Sequence, residues 1–134
     1  MAQPLVLRGQ CLCGVSTFTL TGPHNWVGHC HCDSCRKATG SAFVTWIGQP
    51  NGAWAFTGQA PSTFQSSEKV TRGFCGTCGT PLFYKSIAYP DETHFYAALI
   101  DNPDNVTPTE VYFTAEKVSW IVIPDHLQPA ELKT

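Results

Sequence analysis

Seven cysteines in three tight groups constrain this chain more than any other feature of its 134 residues. They fall as Cys11-x-Cys13, Cys30-x-Cys32-x-x-Cys35 and Cys75-x-x-Cys78. An odd count at such short spacings suits metal ligation better than a disulfide framework. A bridge between cysteines one residue apart would also close a small, strained ring. The opening "MAQPLVLRGQ" lacks the apolar stretch of a secretory leader. No apolar run approaches the roughly 20 residues of a membrane helix. A cytoplasmic protein is therefore expected, in a compartment that keeps thiols reduced.

Charged residues make up only 13% of the chain and apolar ones 43%, with 11 Gly and 10 Pro, which points to a small, turn-rich domain. A formal charge of −2 leaves no basic footprint for nucleic acid or for an anionic membrane. No repeat, linker or low-complexity tract divides the sequence, so residues 1–134 are expected to form a single domain. Short runs rich in Val, Thr and aromatic residues predict strands over 15–22, 41–48, 53–58, 62–67, 70–75, 80–86, 93–100 and 111–123. Their number and spacing predict a mostly β fold of packed antiparallel sheets. Only "DSCRKATG" reads as helical, with Asp33 as N-cap and Gly40 ending the turn.

Cys11, Cys13, Cys75 and Cys78 form a four-sulfur set, the number that a tetrahedral Zn²⁺ requires. Each pair is followed by a glycine, Gly14 or Gly79, which permits a positive φ and lets backbone N–H groups turn towards the sulfurs. An ion there would tie the N-terminal hairpin to the middle of the chain, a closure whose worth grows with loop length.

Cys30, Cys32 and Cys35 number only three, with Cys35 in the first turn of the expected helix, where thiolate is favoured. Three readings remain open. Three protein ligands plus an exchangeable position characterise catalytic zinc. A histidine would instead close the site as a second staple: His29 flanks the loop, and His24, His94 and His126 are distant candidates, whereas His31 is squeezed between two ligands. The third reading is a redox trio without metal. An open site of three thiolates is a weak Lewis acid, better matched to a fourth sulfur than to water activation. A substrate thiol bound there would be deprotonated, and its addition to a small aldehyde, or the reverse, is the simplest reaction that uses it.

The ordered pattern Cys11-x-Cys13-Gly14, then Cys30-His31-Cys32-x-x-Cys35-Arg36-Lys37-x-x-Gly40, then Phe74-Cys75-x-x-Cys78-Gly79-Thr80-x-Leu82 resembles the glutathione-dependent formaldehyde-activating enzyme (GFA) family. The "LIDNP" segment (Leu99–Pro103) and the closing Trp120, Asp125 and Leu127 are looser echoes. The resemblance implies a β-tent (Mss4-like) fold with two Zn²⁺ per chain. Carried over by position, Cys11, Cys13, Cys75 and Cys78 hold a structural zinc, and Cys30, Cys32 and Cys35 hold a catalytic one. The implied partners are glutathione or a similar small thiol and a small aldehyde, and the implied activity is that of a carbon–sulfur lyase, forming or cleaving S-hydroxymethylglutathione. Two other classes compete: a non-catalytic zinc-stabilised binding module, and a thiol oxidoreductase related to the methionine sulfoxide reductases.

Among the remaining residues, Trp46, Trp54, Phe74, Phe83 and Tyr84 are expected in core or sheet packing ahead of a pocket lining. Arg8, Lys37 and Arg72 are expected as solvated surface, while Arg36 abuts the cysteine loop and is the cation placed to act there.

Overall fold

A computed structural model describes residues 5–131; the ends of the expected domain, 1–4 and 132–134, lie outside them. In chain order the strands are β1 (Val6–Gln10), β2 (Ser16–Thr21), β3 (Trp26–Cys30), β4 (Val44–Pro50) and β5 (Trp54–Gly58). They continue as β6 (Ser62–Gln65), β7 (Val70–Phe74), β8 (Pro81–Ser86), β9 (Glu92–Tyr96), β10 (Glu110–Tyr112) and β11 (Gln128–Ala130). One α-helix, α1 (Asp33–Thr39), lies between β3 and β4. The mostly β class is as expected.

The strands form a three-stranded sheet, β1-β2-β5, and an eight-stranded sheet, β11-β10-β3-β4-β9-β8-β7-β6. The small sheet is antiparallel throughout. The large one is antiparallel except at β10, which runs parallel to both β3 and β11.

Strand alternation divides the large sheet into two chemically different faces. Across β7, β8, β9, β4 and β3, Gly73, Phe83, Phe95, Ile47 and Val27 stand in register. This row is buried and meets the small sheet, with Phe18 tilted against Phe95 at 5.2 Å and Phe56 lying 5.6 Å from Phe83. Leu7, Leu20, Leu82 and Ile100 complete that core. Removing each such side chain from water contributes about 1.5–3 kcal/mol. One residue along, Arg72, Tyr84, His94, Gly48 and Trp26 form the neighbouring row. A one-residue offset turns them to the opposite face, where a second cluster gathers Cys30, Cys35, Val44, Trp46 and Tyr96.

Strand boundaries depart from the expected runs for local reasons. The 111–123 run yields only β10, because Phe113 adopts a left-handed φ of 56° and a 3₁₀ turn follows over Thr114–Glu116. Trp120 and Val122 beyond it are exposed at 72% and 88%, so their strand-forming composition finds no partner strand. Likewise β9 stops at Tyr96 and tightens into a 3₁₀ turn, Ala97–Leu99. Strands β1, β3 and β11 were not expected, since Gly9, Gly28 and Pro129 interrupt their patterns. In β3 the interruption is filled across the ladder: the Tyr112 ring occupies the space that a Cβ on Gly28 would take.

Helix α1 ends as expected, with Gly40 at φ 71° and its N–H donated to the Arg36 carbonyl. Its N-cap is Cys32, not Asp33: the Cys32 sulfur accepts the Cys35 N–H at 3.3 Å. Asp33 sits in the first turn and pairs with Arg36 at 3.3 Å and Lys37 at 3.2 Å.

The core row predicts a sharp steric response at Gly73, because a methyl built there runs into the Phe83 ring. Gly73→Ala should lower stability by about 1–3 kcal/mol. Urea denaturation checks this as a lower midpoint at unchanged slope; an unchanged midpoint would contradict the register described.

Candidate functional site

The turn between β1 and β2 carries Cys11 and Cys13, and the turn between β7 and β8 carries Cys75 and Cys78. Their four sulfurs lie within 4.8 Å of one another. Cys13 is 3.6 Å from Cys11 and 3.9 Å from Cys75. A tetrahedron built on Zn–S bonds of 2.3 Å has edges of about 3.8 Å, so these sulfurs fit that ion. The separations are too long for S–S bonds.

Backbone donors support the set. Ser16 N–H reaches the Cys11 sulfur and Cys78 N–H the Cys75 sulfur, both at 3.4 Å. Gly14 and Gly79 adopt φ of 83° and 81°, the conformation expected of them. Their own N–H groups, however, close the turns on the carbonyls of Cys11 and Cys75 and leave the sulfurs to other donors. The Thr80 hydroxyl joins the two turns, accepting Leu12 N–H at 3.0 Å and lying 3.1 Å from the Cys78 sulfur. That hydroxyl is the first cause, ahead of backbone donors, that pulls Cys78 down to about 5.

The second set assembles where β3 ends and α1 begins. Cys30 is the last residue of β3, Cys32 caps the helix, and Cys35 is buried in its first turn. Cys30 and Cys35 sulfurs are 3.9 Å apart, and all three lie within 4.8 Å of one another. Among the described residues no histidine, carboxylate or further cysteine joins them. Three candidates for a fourth ligand are engaged elsewhere: His29 Nδ1 with the Thr45 hydroxyl at 2.8 Å, His24 Nδ1 with Gln49 at 2.9 Å, and His94 Nε2 with Glu92 at 2.6 Å; the fourth, His126, is exposed and does not join the sulfurs. His31 is buried and tilts against Phe43, 5.1 Å away. Burial, then the neighbouring His29, Lys117 and Arg36, lower its pKa and keep it neutral.

The trio favours one thiolate without any ion. Hydrogen bonds from Cys30 and then Cys35 push Cys32 down to about 2, against partial burial, while the same sharing pushes the Cys30 thiol up. The cation at this charge is Arg72, whose Nη2 is 3.9 Å from the Cys35 sulfur and whose guanidinium lies 5.1 Å above the Tyr84 ring. Sequence reasoning placed Arg72 in solvent and Arg36 at the site. Instead Arg36 is held by Asp33 and by the Glu116 carbonyl at 3.2 Å.

A cavity of about 360 Å³ opens over the trio, with Trp46, Tyr84, Tyr89, His94 and Phe113 in its wall. A groove of about 680 Å³ adjoins it through Ser34, Ser67 and Tyr84 and is lined further along by Lys37, Phe74 and Arg72. Tyr84 and Phe74 thus line open space, whereas Phe83 is core, Trp46 is buried in the second cluster behind the cavity wall, and Trp54 packs against the core under Lys85. The contribution of Arg72, His94 and Glu92 was missed. The pattern that carries it is the alternation in "TRGF", "FYKS" and "THFY", whose polar members become neighbours only once three strands are in register.

Both cysteine sets lie inside the span where known proteins match. A family model described as glutathione-dependent formaldehyde-activating enzyme matches residues 6–116. A Halomonas elongata protein provisionally named a glutathione-dependent formaldehyde-activating enzyme is 26% identical over 133 residues, covering 92% of this chain and 85% of its own. The crystal structure of a Rhodobacter sphaeroides protein shares the fold with a TM-score of 0.59 at 19% identity, covering 73% of this chain and 93% of that one. With most of its length matched and all seven cysteines inside that match, the chain belongs to the glutathione-dependent formaldehyde-activating enzyme family.

Proposed function

We propose that this protein is a zinc-dependent carbon–sulfur lyase that adds a small glutathione-like thiol to a small aldehyde such as formaldehyde, or reverses that addition. The observation that carries the reading is the asymmetry between the two cysteine sets. Four sulfurs close on themselves at the joined turns, while three sulfurs, with no fourth protein ligand among the described residues, border a cavity of about 360 Å³. In this reading Cys11, Cys13, Cys75 and Cys78 hold a structural zinc, and Cys30, Cys32 and Cys35 hold a catalytic one. A zinc held by three thiolates supplies one exchangeable position suited to sulfur and the positive charge that keeps a substrate thiol deprotonated.

The chain's own groups do the rest. Arg72 offsets the charge of the thiolates from beside Cys35. Trp46, Tyr84 and Phe113 give the cavity apolar walls that hold bulk water away from the reacting atoms. Arg72 and Lys37 line the adjoining groove, where the carboxylates of an extended thiol would find cations. Name and chemistry agree here: the family and the Halomonas elongata relative are both described by glutathione and formaldehyde. The oxidoreductase alternative requires a cysteine outside the metal sets, and all seven fall within them.

Purified protein should carry about two zinc ions per chain, one of which a chelator removes much faster than the other. Metal analysis against time of chelation measures this, and a single tightly held zinc would sink the open-site reading. Cys32→Ser should keep the circular dichroism of the wild type, retain the four-sulfur zinc and lose thiol–aldehyde condensation by at least about 100-fold. Condensation at the wild-type rate in that variant would remove the trio from the mechanism.

A further inference from the structure

Glu92 and His94 form the least expected feature of the site face. Both sit on β9, two residues apart, with side chains only 12% and 3% exposed. The Glu92 carboxylate accepts from Asn25 Nδ2 at 2.9 Å and from the Trp26 indole N–H at 2.9 Å, and lies 2.6 Å from His94 Nε2. Burial opposes its charge, but hydrogen bonds from His94, Asn25 and Trp26 outweigh it and hold the carboxyl below its ordinary range. An ionised carboxylate only accepts, so the proton in the 2.6 Å contact belongs to His94 Nε2. With Nε2–H committed to Glu92, Nδ1 is the ring nitrogen that the carboxylate leaves for proton transfer.

The imidazole is fixed by its surroundings as well as by Glu92. Tyr84 stacks on it at 5.2 Å and 11°, and Trp26 meets it edge-on at 4.8 Å. Trp26 lies over Gly48, where a side chain would displace the indole from its place beside Glu92. The ring forms part of the wall of the cavity that holds the sulfur trio. Packing alone does not require this arrangement: an apolar side chain would stack on Tyr84 without the cost of burying a carboxylate. The pair has the form of a base with its orienting partner, placed against the reaction space.

We infer that His94 is the proton carrier of the reaction, shuttling the proton between thiol and aldehyde oxygen through Nδ1, and that Glu92 is its positioning residue. The inference rests on the lyase reading. In the forward direction the incoming thiol gives its proton to Nδ1 as it binds, and the resulting thiolate attacks the carbonyl carbon. The C–S bond forms, the π pair of the C=O bond moves onto oxygen, and Nδ1–H returns the proton to that oxygen. Nothing is oxidised or reduced, and the imidazole ends with the protons it began with. The reverse reaction uses the same steps backwards.

The test uses the full-length, zinc-loaded chain with glutathione and formaldehyde, following exchange into the hydroxymethyl thioether by proton NMR. His94→Gln should lower kcat by about 100-fold while KM for glutathione and zinc content stay at wild-type values. Nitrogen-15 histidine spectra of the wild type should show His94 protonated at Nε2 and bare at Nδ1. Glu92→Gln should lose that preference and lower kcat. Should His94→Gln fail to fold, the tautomer and the Glu92→Gln rate decide the matter. A His94→Gln enzyme with wild-type kcat, or a wild-type ring protonated at Nδ1, overturns the role of His94 and leaves the lyase reading standing. A wild-type protein that does not accelerate exchange removes the lyase reading and this role together.

Discussion

The meeting of four sulfurs at two turns is the constraint on which the other features depend. Cys13 and Cys75 are 62 residues apart in sequence and 3.9 Å apart in space. One turn belongs to the three-stranded sheet and the other to the eight-stranded sheet, so this contact pins the two sheets together at one end. In a chain with so few charged residues, the pin and the aromatic packing of Phe18, Phe56, Phe83 and Phe95 set how the sheets face each other. A closed metal there would convert ligand affinity into folding free energy. It would also fix the strand β7 that delivers Arg72 to the second set of sulfurs.

From that alignment the site follows by alternation. The row from Gly73 to Val27 fills the space between the sheets, and the row from Arg72 to Trp26, one residue along, faces away from it. Stability and chemistry are therefore carried by adjacent residues on the same five strands. The helix then brings Cys32 and Cys35 to the end of β3, and the left-handed Phe113 turns the chain after β10 so that its ring closes one side of the cavity. The result is a rigid floor of strands beneath a short, cysteine-bearing loop, a sound platform for holding reacting groups in fixed positions.

The two cysteine sets were legible in the sequence because cysteine spacing is local. Two sulfurs two or three residues apart must lie in one turn, and the glycines that follow announce its geometry. The division into four and three needed only counting. The helix end at Gly40 was equally local, while its start was misassigned because a cysteine sulfur replaced the expected carboxylate as cap. What the sequence did not disclose was register. Arg72, Tyr84 and His94 come from three strands, and no spacing relates them until pairing is known. Strands β1 and β3 were hidden for a similar reason, since Gly9 and Gly28 weaken the local pattern and are covered by rings from neighbouring strands.

The central claim is that the four-sulfur set is complete and the three-sulfur set is one ligand short. X-ray absorption on the zinc-loaded protein, before and after glutathione is added, tests it most directly. Four and three protein sulfurs give 4 + 3 = 7 over two ions before addition. The account predicts that this total rises to about eight when the thiol binds. A protein nitrogen or carboxylate oxygen found in the first coordination sphere beforehand, with no gain of sulfur afterwards, would contradict it.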